Sequence, residues 1–139
     1  MVITVYAALL GFWYIFLVSQ VIRVRMGIKG KVQGPESKNL AYAVKAHANF
    51  SEYVPLPLIL LILLEMQEPN MIYFNVLAGL LCISRILHSI SLLFVEKILN
   101  TTKLRMLATA LTIIVVLITA FSNIVLYFIT TGDSVINPL

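Results

Sequence analysis

The chain has 139 residues, of which 60% are hydrophobic and only 12% charged, with a mean hydropathy of +0.99. A soluble domain is roughly a quarter charged and about half apolar, and one this small has too little interior to hide so much apolar surface. That excludes a soluble globular fold and leaves an integral membrane protein, whose formal charge of +4 bears on topology and lipid headgroups rather than on nucleic acid.

Val2–Ile22 is the first of four stretches of spanning length, which for a helix is roughly 20 residues across about 30 Å of hydrocarbon. It lacks a basic segment before it and a small-residue cleavage site after it, so it reads as a span and not as a signal peptide. Trp13 and Tyr14 fall mid-span and read as packing aromatics. A basic, glycine-bearing link follows, "RVRMGIKGKVQGPESKNL". The second span is Tyr42–Leu64, in which Pro55 and Pro57 predict a kink. "EMQEPN" reads as a tight turn punctuated by Pro69-Asn70. The third span, Ile72–Val95, carries the single cysteine, Cys82, which excludes an intrachain disulfide and reads as a small buried hydrophobe. "EKILNTTK" leads into the fourth span, Leu104–Ile129, and the tail "TGDSVINPL" is expected to fray. The whole chain reads as one all-α, four-span membrane domain in contact with the lipid bilayer.

Charge asymmetry orients these spans. The first link holds Arg23, Arg25, Lys29, Lys31 and Lys38 against Glu36, and the third holds Lys97 and Lys103, with Arg105 just beyond, against Glu96. The second link holds Glu65 and Glu68 and no Lys or Arg. Basic links stay cytoplasmic, so links one and three are expected inside and both termini outside.

Polar residues within the spans cluster toward the basic end. At about 100° per residue, Lys38, Tyr42, Lys45, Asn49 and Glu52 fall within about 80° of one another on span two, and His47 points nearly the opposite way. In "SRILHSI" of span three, Arg85 and His88 share a face, with Leu92 and Glu96 further along it. Arg85 lies well inside the apolar run, where a charge costs at least about 2.5–3.5 kcal/mol. Glu52 lies at similar depth, which predicts an ion pair or a shared ligand. On span four, Arg105 stands at the mouth, and Thr109, Thr112, Thr119 and Asn123 form a stripe read as interhelical glue. The layer of Arg23, Lys45, Arg85 and Arg105 carries more cations than Glu52 can neutralise, which points to an anionic guest. No metal site is expected.

"KAHANFSEYVPLPLILLILLE" resembles the helix-two signature of the MAPEG family, the membrane-associated proteins in eicosanoid and glutathione metabolism. "GLLCISRILHSI" resembles that family's third helix, and "VIRVRM" its basic exit from helix one. The closest look is to small bacterial inner-membrane members, with both termini periplasmic. The resemblance implies a four-helix bundle assembled as a homotrimer, with glutathione between subunits near the cytoplasmic face. By position it assigns Arg23, Lys45, His47, Asn49, Glu52, Tyr53, Arg85 and His88 to glutathione binding, His47 reaching a neighbouring subunit's ligand. It assigns Arg105 to thiol activation. The implied activity is that of a glutathione S-transferase or peroxidase acting on lipophilic electrophiles. The alternative is a non-catalytic membrane protein holding an anionic ligand or lipid headgroup. Lys45 stands where the family has Arg, Leu92 replaces a tyrosine, and Met106 and Thr109 replace Ser and Tyr, which points away from eicosanoid chemistry.

Overall fold

Lipid offers no water to backbone N–H and C=O groups, so a segment inside it must satisfy them within itself, and a helix does. In the computed structural model, which describes residues 1–28 and 35–136, the chain is accordingly helical, with no strand among the described residues. The helices are α1 (Ile3–Ile28), α2 (Pro35–Tyr53), α3 (Pro55–Glu65), α4 (Met71–Ile90), α5 (Glu96–Leu99) and α6 (Lys103–Ile136), with a π turn, Ser91–Val95, between α4 and α5. Four helical runs are long and apolar enough to cross a membrane: Ile3–Gly27, Lys38–Glu65, Met71–Val95 and Lys103–Thr131. Lys29 and Lys31 of the first link lie outside the described residues.

The expected kink in span two falls at Val54 (φ −92°, ψ −42°), where α2 gives way to α3. Pro55 and Pro57 carry no N–H, so the carbonyls of Ser51 and Tyr53 lose their helical donors. The chain stays continuous because Val54 N bonds Phe50 O and Leu58 N bonds Val54 O, both at 3.1 Å. The second link turns through Glu68, at φ 53°. Asn70 then caps α4, its Oδ1 accepting from the N–H groups of Ile72 (2.9 Å) and Tyr73 (3.2 Å). Asn100 ends α5 in the left-handed conformation (φ 48°, ψ 36°), its N–H bonding Glu96 O. The tail expected to fray from Thr131 is instead helical through Ile136, since no proline interrupts it before Pro138.

Span three is the central element: 56% of its most apolar stretch is buried, against 11%, 28% and 17% in spans one, two and four. It packs chiefly against α6, and α1 packs chiefly against α2. Leu10 and Leu17 of α1, Leu61 and Leu64 of α3, Phe74 and Leu81 of α4 and Val115 of α6 fill the centre. Cys82 is buried, as its apolar setting predicts. Trp13 stacks on Phe16 with ring centroids 4.8 Å apart. Phe12, Ile15, Leu117, Phe121 and Phe128 point outward, an arrangement that apolar surroundings favour and water does not.

The end of the bundle that carries the second link is stitched by polar side chains. Glu65, the last residue of α3, accepts from the N–H groups of Val2 and Ile3 (3.0 Å for the latter) at the start of α1. Its carboxylate thereby meets unpaired donors at the positive end of a helix dipole. Tyr6 Oη donates to Asn75 Oδ1 (2.9 Å), joining α1 to α4. Gln67 Nε2 donates to Asn123 Oδ1 (2.8 Å), and Asn123 Nδ2 donates to Leu60 O (3.0 Å), joining the α3 end to α6. Tyr73 and Ser122 hydroxyls join α4 to α6.

The Glu65 contact gives a stability prediction. Hydrogen bonds to a charged acceptor contribute about 1.5–3 kcal/mol, so Glu65→Ala should destabilise the protein by that amount in reversible unfolding from detergent micelles. Glu68→Gln, which touches no helix start, should leave the unfolding midpoint where it is.

Candidate functional site

Arg85 is the largest fully buried side chain, with 1% of its surface exposed. It sits on α4, the central helix, so its guanidinium has protein on every side. Nη1 donates to Asn49 Oδ1 of α2 (3.3 Å) and Nη2 to Ala108 O of α6 (3.2 Å). Its Cζ lies 5.4 Å from the centroid of the Tyr53 ring, within cation–π range. Nε is buried and has no partner among the described residues. No carboxylate reaches this cation among the described residues.

The expected Glu52–Arg85 ion pair is therefore not formed within the chain. Helical phase explains why. Asn49 and Tyr53 are four apart and stand one above the other on α2, and together they cover the face Arg85 meets. Glu52, one residue short of Tyr53, is rotated off that face. It is exposed and lines a cavity of about 300 Å³ between the α2–α3 break and α6. Tyr53, Leu56, Pro57 and Thr112 line it too. The agreement in depth holds, since Asn49 and Tyr53 on either side of it both touch Arg85; the pairing does not.

The other site residues divide into two groups. His88, one turn beyond Arg85, is buried, and Arg85, Arg105 and Lys45 all lie within its electrostatic reach. Lys45 is exposed on α2. Asn49, Tyr53, Arg85, His88, Lys45 and Arg105 thus belong to one region between α2, α4 and α6. His47 and Arg23 do not join it. The His47 ring is half-buried and lies 5.0 Å from that of Tyr14 on α1, on the opposite side of α2 from Lys45's face. Arg23 is exposed near the end of α1 and makes no hydrogen bond or ion pair with a described residue.

Arg105 has a partner that helical counting does not reveal. Its Nη1 bonds both Glu96 oxygens, Oε1 at 3.2 Å and Oε2 at 2.9 Å. The sequence signal was present, a carboxylate nine residues from a cation at the same end, but α-helical phase assigns Glu96 to the face of Arg85. The polar stripe on α6 serves two purposes. Thr112 Oγ1 and Ser84 Oγ bond across the helices at 2.9 Å, and Asn123 reaches α3, as interhelical glue requires. Thr109 and Thr119 bond carbonyls of their own helix, Arg105 O and Val115 O.

The donors suit an anion, with an orphaned guanidinium N–H in a buried cation and further cations around His88, while the accessible Glu52 carboxylate in the adjoining cavity suits a cationic group. No curated protein and no solved structure matches the chain. A family model does match, over residues 3–125, which take in most of all four membrane-spanning helices. The chain is an integral, multi-pass membrane protein that belongs to the MAPEG family.

Proposed function

We propose that this protein binds glutathione in the region between α2, α4 and α6 at the basic end of the bundle, and presents its thiol to lipophilic electrophiles or peroxides. The observation that carries the reading is Arg85, a buried cation with a free N–H and no carboxylate partner among the described residues. An unpaired charge in a low-dielectric interior is costly, and an anionic guest relieves the cost.

The residue types suit the ligand. Glutathione has two carboxylates, one ammonium and a thiol. Lys45 and Arg85 would take carboxylates and Glu52 the ammonium, through charge-assisted hydrogen bonds. Bound glutathione would supply a thiol nucleophile, whose free pKa is about 8.5 and falls beside a cation. Arg105, at the mouth of α6, would hold that thiolate. The cavity lined by Leu56, Pro57, Ile113 and Val116 beside Glu52 is apolar enough to take a lipophilic second substrate.

Arg23 and His47 face away from this region in one chain, which supports a reading in which they serve a neighbouring subunit's ligand in a homotrimer. The excess of Lys and Arg in links one and three supports a cytoplasmic basic end, and so, in a bacterial inner membrane, periplasmic termini. One observation favours a second reading, non-catalytic binding of an anionic ligand or lipid headgroup: Arg105 is already neutralised by Glu96.

Two measurements test the reading. Adding glutathione to the purified protein should raise its thermal unfolding temperature and produce the ultraviolet absorbance of a thiolate, and Arg105→Ala should remove the absorbance while keeping the stabilisation. Stabilisation without absorbance in the wild type would select the non-catalytic reading, and neither signal would reject both. Arg85→Met should abolish glutathione-dependent stabilisation. Without ligand it should unfold somewhat earlier than wild type, because Asn49 Oδ1 loses its donor, so the readout is the loss of the glutathione-dependent shift and not the unfolding temperature itself.

A further inference from the structure

Glu96 owes its position to the π turn that precedes it. Counted as continuous α-helix, Glu96 is eleven residues after Arg85 and would fall about 20° from it around the axis. The π turn Ser91–Val95 inserts one residue, with Glu96 N–H bonding Ser91 O. That moves every later position by about 100°, so Glu96 ends about 80° from the Arg85 face. It meets Arg105 instead. The Ser91 hydroxyl in this turn is buried and has no partner among the described residues. What the turn does provide is a carboxylate for the cation at the mouth, while no carboxylate reaches the deeper cation among the described residues.

The pair is held but not locked. The two side chains are largely shielded, 25% exposed for Arg105 and 13% for Glu96. Yet a single nitrogen, Nη1, carries both bonds, so the pair lacks the two parallel bonds that make arginine–carboxylate contacts strongest. Nε and Nη2 of Arg105 bond no described residue. They are open to a second anion while Nη1 is still engaged, which is the arrangement for exchange of one counter-ion by another.

We propose that Glu96 is an internal counter-ion that an anionic ligand displaces from Arg105, so that Glu96 sets how tightly the site takes its ligand. This rests on the anion-binding reading above. Glu96 is a positioning residue: it acts through Arg105 and touches no ligand.

Calorimetric titration of glutathione into the purified, detergent-solubilised protein tests it. Glu96→Gln keeps the shape and removes the charge, and should bind glutathione several-fold more tightly than wild type. The double variant Glu96→Gln with Arg105→Gln should bind no more tightly than Arg105→Gln alone. Glu96→Asp should restore affinity toward the wild-type value. A merely structural brace would give the opposite sign, with Glu96→Gln weakening binding in step with a lower unfolding temperature. If wild type binds and Glu96→Gln binds equally or less tightly, the counter-ion role is overturned and glutathione binding stands. If neither binds, both fall. If only Glu96→Gln binds, the counter-ion role is upheld in its strongest form. Should that variant fail to fold, a structure of the wild-type protein with glutathione decides: Arg105 should have left Glu96, and a retained 2.9 Å contact overturns the proposal.

Discussion

Arg85 keeps its guanidinium among helices whose outer faces are apolar, where no bulk water is at hand to solvate it. Two oxygens and one aromatic face hold it: Asn49, the Ala108 carbonyl and Tyr53. Asn49 and Tyr53 belong to α2 and Ala108 to α6, so the charge on α4 ties all three helices together. Removing α2 from this contact would strip away both a hydrogen bond and the ring that shields the cation. The dipoles and the ring around Arg85 share its charge without cancelling it.

Charge is distributed unevenly along that arrangement. The buried cation on α4 has only neutral partners, while the more accessible one on α6 holds the carboxylate of Glu96. A continuous helix would have left Glu96 on the Arg85 side of the axis, about three turns away and out of its reach. The π turn rotates the carboxylate toward Arg105 without any change in the types of residue present.

Much of this was legible in the residues, and the rest was not for identifiable reasons. Four apolar runs of spanning length are a one-dimensional signal, and the all-α architecture follows from them. Pro55 and Pro57 announce the kink in span two, and Pro69-Asn70 the turn after it. The period of the helix places Asn49 on a common face and Arg85 at matching depth. It could not say that Tyr53 and not Glu52 would stand over the guanidinium, since those side chains are adjacent and differ only by one step of rotation. A backbone acceptor such as Ala108 O has no sequence signature. The π turn likewise has none here, and everything counted through it, Glu96 above all, is assigned to the wrong side. The capping of α1 by Glu65 depends on a meeting of residues sixty-odd positions apart, which no local pattern encodes.

The polar stitches between helices are not spread evenly along the bundle. At the end carrying the second link, Glu65, Tyr6–Asn75, Gln67–Asn123 and Tyr73–Ser122 bind α1, α3, α4 and α6 into one block. Before Pro55, α2 has the Asn49 contact as its chief polar tie to α4. It is held instead by apolar packing against α1, through the buried Ala43, Ala46 and Phe50. One end of the bundle is thus joined by directional hydrogen bonds, and the other by contacts that fix distance more than orientation.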